Sequence, residues 1–154
     1  MRTMVLGAGA MGSLFGARLK NAGYEVLLVD TWKEHVNRIK EEGLKVLENT
    51  GEVKTTRIDI TDDLSQETKC FDLIIVFVKG YATQTAIQNA LHLINEDTMV
   101  LTLQNGIGNA ENLEKYVDPK QIAVGGTSYG GGVIEPGYVA HRAWGKTHIG
   151  PFGE

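Results

Sequence analysis

The sequence predicts an α/β protein built on a doubly wound parallel sheet, and three observations carry that reading. Short apolar runs alternate along the chain with segments of helical periodicity, the pattern of strands joined by right-handed helical crossovers. The run across Asp72–Val78 is continuously apolar, as expected of a central strand buried on both faces. The first run, Arg2–Leu6, feeds directly into Gly7-Ala8-Gly9-Ala10-Met11-Gly12, a G-x-G-x-x-G turn that opens a helix.

The elements follow in order. Arg2–Leu6 is a strand, and Ala10–Ala22 is a helix closed by Gly23. Gly12 and Gly16 lie four apart on one helical face, where missing side chains let the helix sit close on the sheet. Glu25–Val29 is a second strand, ending at Asp30. Thr31 and Glu34 have capping-box spacing for a helix carrying Trp32, Val36 and Ile39 on one side and closed by Gly43. Leu44–Leu47 and Glu52–Thr56 form a hairpin around Asn49-Thr50-Gly51. Thr83 caps a helix on which Ile87, Ala90, Leu91 and Ile94 keep helical spacing. Thr98–Leu103 is a strand running into Gln104-Asn105-Gly106, and a short helix covers Ala110–Tyr116. Pro119 lies in the turn before a strand at Gln121–Val124. Glycine-rich, strand-like text then runs from Gly125 to Gly132 and on through Val133–Ala140, broken by Pro136-Gly137, so extra C-terminal strands are expected.

Composition narrows the classes. At 154 residues, with 42% hydrophobic and 22% charged residues, the chain has the make-up of one ordinary globular domain. A net charge of −4 argues against nucleic acid or an anionic membrane as the main partner. Cys70 is the only cysteine, which excludes an intramolecular disulfide and a cysteine metal site; beside an apolar run it reads as a buried, unreactive thiol. The first ten residues superficially resemble a signal peptide, but glycines interrupt them, and no segment reaches the roughly 20 apolar residues needed to span a bilayer. A cytoplasmic protein is expected.

In open α/β sheets, ligands bind at the carboxyl ends of the strands, which ranks the polar residues. In the glycine loop the first glycine permits the tight turn, the second admits a pyrophosphate, and the third lets helix and strand pack closely. Free N–H groups at the helix start suit phosphate oxygens. With no repeat or linker, residues 1–154 read as a dinucleotide-binding domain. Asp30 follows Gly12 by 18 residues, near the spacing of the acidic residue that accepts from both ribose hydroxyls. A carboxylate there repels a 2′-phosphate and favours NAD over NADP; it equally suits a cap for the following helix, and the two roles are compatible. Lys79, just past the central strand, either reaches into the crevice or is a solvated strand-end lysine. Asn105-Gly106 is either a turn dipeptide or, with Gly108, a place of close backbone approach. His35 and His92 fall on predicted helices as surface residues, whereas His141 and His148 flank the terminal strands and could face the cleft. Glu41-Glu42 and Asp62-Asp63 sit in solvated, turn-like stretches. No Ser/His/Asp or metal constellation is recognisable.

Four motifs in this order resemble the ketopantoate reductase (2-dehydropantoate 2-reductase) family: Gly7–Gly12, Val78-Lys79-Gly80-Tyr81-Ala82-Thr83, Leu103-Gln104-Asn105-Gly106-Ile107-Gly108, and His141–Gly150. The last is similar to the family's H-x-G-x-G-x-T-x-I-G pattern, with Ala143 in place of the first glycine. The resemblance implies reduction of a 2-keto acid, ketopantoate being the type substrate, to a D-2-hydroxy acid by NAD(P)H. It implies that Lys79 and Asn105 contact the nicotinamide end, that Asn105 also meets substrate, and that the Gly131 backbone touches the cofactor. Typical members carry an arginine for the 2′-phosphate where this chain has Asp30-Thr31, which resembles instead the NAD-using D-mandelate type dehydrogenases. The family's general-acid lysine belongs to a helical second domain beyond the T-x-I-G strand. The expectation is therefore a 154-residue chain with no catalytic residue of its own. It would bind dinucleotide without turnover and could form a homo-oligomer through the surface such a domain would cover. The rival readings are a stand-alone regulatory or redox-sensing dinucleotide module and an S-adenosylmethionine methyltransferase. The module has no need for Lys79, Asn105 or the His141–Gly150 tail, and the G-x-G-x-x-G spacing and the continuation to Lys79 argue against the methyltransferase.

Overall fold

The computed structural model describes residues 1–153. In chain order the elements are β1 (Arg2–Leu6), α1 (Ala10–Asn21), β2 (Glu25–Val29), α2 (Lys33–Glu42), β3 (Leu44–Leu47), β4 (Val53–Thr56), β5 (Asp59–Thr61) and β6 (Leu73–Val76). They continue with α3 (Thr83–Ala90), β7 (Met99–Thr102), α4 (Asn109–Leu113), β8 (Ile122–Thr127), β9 (Gly130–Glu135), β10 (Tyr138–Ala143) and β11 (Thr147–Pro151).

Seven strands form the main sheet in the order β11-β8-β7-β6-β1-β2-β5. Its neighbours are parallel except for β11, which runs antiparallel to β8 at one edge. From β1 the chain builds outward through β2 to β5, then returns to the opposite flank of β1 at β6. The carboxyl ends of β1 and β6 therefore flank the topological switch point, where such a sheet leaves its ligand crevice.

Alternation along β1 supplies both faces. Met4 and Leu6 join Ile74, Val76, Val100 and Ile122 beneath Ile87 of α3 and Leu113 of α4. Val5, between them, joins Val26 and Leu28 beneath Leu14 and Ala17 of α1 and Val36 and Ile39 of α2. Gly16 meets the expectation of close packing, since a Cβ there would lie 2.5 Å from Leu28 Cδ2.

A second sheet, β4-β3-β10-β9, lies over α1. Strands β3 and β10 are parallel and the other pairs antiparallel. Its Leu44, Val46 and Val139 share the apolar cluster of Leu14, so α1 is held between two sheets. A charged clamp closes that layer. Arg18 of α1 donates twice to the Glu48 carboxylate, at 2.7 Å for each bond, and Glu48 also meets His141 Nδ1 at 3.1 Å. His141 stacks on Tyr129 with ring centroids 4.6 Å apart. Glu48 is only 7% exposed, and the hydrogen bonds from Arg18 hold its carboxyl down at about 2.

Several expectations change. Strand β5 has no counterpart among the expected elements, because a three-residue strand with one buried residue, Ile60, has no detectable period. The capping box at Thr31 and Glu34 does not form: Asp30 Oδ1 accepts the Trp32 N–H at 2.9 Å instead. Thr83 is the first residue of α3 rather than its cap, and its hydroxyl accepts from Gln104. The helix ends at Ala90 in a 3₁₀ turn over Leu91–Leu93. The C-terminal strands divide between the two sheets, a pairing no local pattern specifies. Cys70 is half-buried rather than buried.

The clamp has a measurable signature. Glu48→Gln keeps the shape and removes the charge, so it is expected to destabilise the fold by about 1–3 kcal/mol in urea unfolding. The folded-state carboxyl lies below its ordinary 4.5, so its contribution is complete above that pH and fades as pH falls towards about 2. The parent should lose that stability across this window, and Glu48→Gln should lack that component.

Candidate functional site

Three chain segments converge at the switch point: the glycine loop after β1, the turn after β2 and the turn after β6. Gly7 adopts φ +96° and is buried, and a Cβ on it would lie 2.6 Å from the Val78 nitrogen. A Cβ on Gly12 would collide with the Gly7 carbonyl. The loop thus lies directly against the β6 exit and folds back on its own helix, an approach that only glycine permits at both positions. The Ser13 hydroxyl donates to the Ala8 carbonyl at 2.8 Å. By contrast, Gly9 is exposed with open space around it, and Ala10 and Met11 begin α1 with neither a side-chain cap nor an acidic residue in the first turn. This uncapped start leaves backbone N–H groups free for an anion.

Asp30 joins this loop directly. Its Oδ2 accepts the Ala8 N–H at 2.8 Å while Oδ1 holds Trp32 N–H, so one carboxylate fixes both the glycine loop and the start of α2. Beside it opens a cavity of about 440 Å³. Leu6, Val29, Leu64, Val78 and Ala86 line its apolar part, and Asp62, Thr85 and His92 contribute polar groups. Asp62 and Asp63 are exposed, as a solvated stretch predicts, but they directly follow β5 at the carboxyl edge and line this cavity.

Lys79 and Asn105 are both exposed, on neighbouring loops that one residue ties together. Gln104 Nε2 donates to the Val78 carbonyl at 2.6 Å and to the Thr83 hydroxyl at 2.8 Å, while its Oε1 accepts from Thr102. Asn109 Nδ2 donates to the carbonyls of Asn105 and Gly106 at 3.1 and 3.3 Å. Between these fixed points Tyr81 and Ile107 stand 90% and fully exposed, respectively. Gln104 and Asn109 were not singled out in the sequence, where an amide beside Asn-Gly looks like turn composition. Gly131 lies on β9 against α1, where a Cβ would sit 2.5 Å from Leu14 Cδ1 and 3.6 Å from Ala10 Cβ. At Ala143, the departure from the glycine pattern, the methyl group is received by Gly130, its partner on β9.

The histidines redistribute. His35 is a core residue with no exposure, because α2 turns that face onto the β9–β10 hairpin: its Nδ1 accepts Gly137 N–H at 2.9 Å. Burial pushes its pKa below the usual histidine value, against the opposing pull of the Asp30 charge and the Ala8 backbone. His141 is buried in the clamp with Glu48 and does not line the switch-point cavity, whereas His148 is exposed on β11. His92 is exposed, with Nε2 3.2 Å from the Leu64 carbonyl. Among the described residues no group of histidine, cysteine and carboxylate side chains has metal-binding proximity, and no helix is long and apolar enough to cross a membrane.

A doubly wound α/β sheet with an uncapped glycine loop and a strand-end acidic residue at its switch point defines a nucleotide-binding class of domain. Residues 3–154 match the family described as ketopantoate reductase PanE/ApbA, and the chain belongs to that family. It is 43% identical over 139 residues to the 2-dehydropantoate 2-reductase of Lactococcus lactis subsp. lactis, covering 89% of this chain and 44% of that protein. To the 2-dehydropantoate 2-reductase of Halobacterium salinarum it is 40% identical over 152 residues, covering 99% and 50%. Its backbone matches D-mandelate dehydrogenase, solved as a ternary structure with NADH and anilino(oxo)acetate, at TM-score 0.95 and 38% identity over all of this chain and 49% of that one. The 2-dehydropantoate 2-reductase from Geobacter metallireducens matches at TM-score 0.89 and 30% identity, covering 99% and 50%. The chain spans about half the length of these relatives.

The Gln104 staple is testable in isolation. Gln104→Leu strips the Val78 carbonyl and the Thr83 hydroxyl of their donor, which should lower unfolding free energy by about 1–3 kcal/mol. Gln104→Glu retains the shape without the N–H groups and should cost a similar amount; wild-type urea midpoints in both variants would show that the staple carries no energy.

Proposed function

We propose that this chain is the cofactor-binding part of an NAD(P)H-dependent 2-keto acid reductase, acting on ketopantoate or a related branched 2-keto acid to give a D-2-hydroxy acid. The observation that carries the reading is the bond from Ala8 N–H to the Asp30 carboxylate. It sets an acidic side chain at the edge of an uncapped glycine loop, beside a cavity with apolar walls. These residues fit a dinucleotide: free N–H groups for the pyrophosphate, a carboxylate for a ribose diol, and apolar walls for a base. The relatives agree, since D-mandelate dehydrogenase was solved with NADH.

In this reading the backbone of Gly7–Gly12 holds the diphosphate, and the exposed start of α1 adds its partial positive charge. Asp30 accepts from the ribose hydroxyls through the lone pairs its two backbone donors leave unused, and its negative charge disfavours a 2′-phosphate. Lys79, Asn105 and the Gly131 backbone orient the nicotinamide end, with Asn105 also donating to the keto acid. When bound, the nicotinamide supplies the hydride for the 2-keto carbon. The general acid comes from the lysine that the family resemblance assigns to a helical domain outside these residues. A polypeptide of these 154 residues alone therefore binds dinucleotide and turns over no keto acid. Its partners are a dinucleotide and a small keto acid rather than nucleic acid or a membrane, and its compartment is the cytoplasm. Exposed Tyr81, Ile107 and Trp144 give such a polypeptide an adhesive surface for self-association.

Calorimetric titration should give tighter binding of NADH than of NADPH, and Asp30→Ala should narrow that gap by about tenfold, the scale of one charge-assisted hydrogen bond. Equal or reversed affinities would remove the NAD assignment. Absorbance at the reduced nicotinamide band should stay flat when the 154-residue chain is mixed with NADH and ketopantoate or pyruvate. Steady consumption of NADH would overturn the claim that this polypeptide lacks its proton donor.

A further inference from the structure

The side chain of Asn109 serves a loop rather than the helix that it begins. Asn109 is the first residue of α4 and only 7% exposed, and Gly108 before it gives the helix no side-chain cap. A side chain serving α4 itself would accept from the N–H groups of its first turn. Asn109 turns the other way. Its Nδ2 donates back along the chain, to the Asn105 carbonyl at 3.1 Å and the Gly106 carbonyl at 3.3 Å, one for each of its hydrogens. Gly106 and Gly108 take φ of +96° and +88°, which coils the loop closely enough for one amide to reach both carbonyls. Among the described residues no main-chain hydrogen bond involves residues 105–107, so this side chain is what closes the loop.

That loop carries Asn105, and the same amide also meets the loop that carries Lys79. A Cβ on Gly80, the residue after Lys79, would lie 3.3 Å from Asn109 Oδ1, so the amide rests against the main chain there. Gly80 opens a 3₁₀ turn in which the Ala82 N–H donates to the Lys79 carbonyl at 2.8 Å. Gln104 fastens the roots of the two loops, at Val78 and Thr83, and Asn109 sets the spacing further out. Lys79 and Asn105 are themselves exposed, so the main chain beneath them fixes where their side chains emerge.

We propose that Asn109 is a positioning residue of the dinucleotide site, setting the separation of Lys79 and Asn105 that suits the nicotinamide end; this rests on the reading of those two residues given above. Asn109 acts only through main chain, that of Asn105–Gly106 on one side and Gly80 on the other. Without its N–H groups the two loop carbonyls lose their donor and turn towards water, and the Asn105 side chain turns with its peptide. The diphosphate and the adenosine ribose meet other segments in that reading, the Gly7–Gly12 backbone and Asp30. The effect is therefore confined to the nicotinamide half of the ligand. A side chain that only stabilised the fold would weaken every ligand of the site alike, or none.

The test is calorimetric titration of the 154-residue chain with NADH and with ADP-ribose, which has the adenosine and diphosphate but no nicotinamide. The parent should bind NADH more tightly than ADP-ribose. Asn109→Ala should weaken NADH about fivefold, the scale of one neutral hydrogen bond, and leave ADP-ribose within about twofold of the parent. Asn109→Ser keeps one donor and should show a smaller loss of the same one-sided kind, serving also where the alanine variant does not fold. Unchanged NADH affinity in a folded Asn109 variant, or equal weakening of both ligands, overturns the positioning role. Where Lys79→Ala and Asn105→Ala nonetheless weaken NADH, the reading of those two residues stands. Parent-like NADH binding by both of them, or a parent that binds NADH no better than ADP-ribose, fails the nicotinamide reading and the positioning role with it.

Discussion

The closeness of the glycine loop to the β6 exit is the constraint on which the rest of this structure depends. Backbone packs on backbone there: Gly7 lies against Val78, and Gly12 lies against the Gly7 carbonyl. Any side chain at either position would push α1 away from the sheet. That displacement would separate Leu14 and Ala17 from Val5, Val26 and Leu28, the centre of one apolar layer. It would also break the Ala8 bond to Asp30 and so unlink the two turns that border the cavity. Packing density and site geometry are here the same requirement, because interiors transmit small displacements rather than absorbing them.

Helix α1 bears a second load on its opposite side. The four-stranded sheet covers it, and the Arg18, Glu48 and His141 cluster closes the gap between them. A buried carboxylate is costly unless its lone pairs are matched, and Glu48 meets that condition with two bonds from one guanidinium and one contact with an imidazole. His35 performs a parallel service at the other end of the same sheet, joining α2 to the β9–β10 turn. The smaller sheet is thereby attached to the main sheet through two histidines, neither of which lines the switch-point cavity.

Much of the fold was legible in the sequence because its long-range pairs are parallel strands buried on both faces, which leave continuous apolar runs. The bounds of β1 and β2 follow directly from those runs, and the glycine loop from its spacing. The candidate site was legible wherever a residue sits one step past such a run, as Asp30, Lys79 and Asn105 do. What escaped was short or satisfied by distant partners. Strand β5 has one buried residue and no period, so Asp62 and Asp63 looked like solvent-facing acids rather than cavity lining. Gln104 looked like part of a turn, since its worth lies in the Val78 carbonyl 26 residues away. His35 and His141 carried no pattern at all, because a histidine on a helix or strand is as compatible with surface as with core.

The sequence by itself determined the doubly wound class, the glycine loop, the acidic residue beyond the second strand and the family these share. Each depends on local spacing or on burial strong enough to write an unbroken apolar run. Only the tertiary structure decided that β10 leaves the main sheet to pair with β3, that Asp30 spends both oxygens on backbone donors, and that two histidines are core residues. Those outcomes depend on which groups meet across long stretches of chain, such as Gly137 with His35 and Glu48 with Arg18. A polar residue's role is set by the partner that satisfies it, and that partner is identified only when the chain is folded.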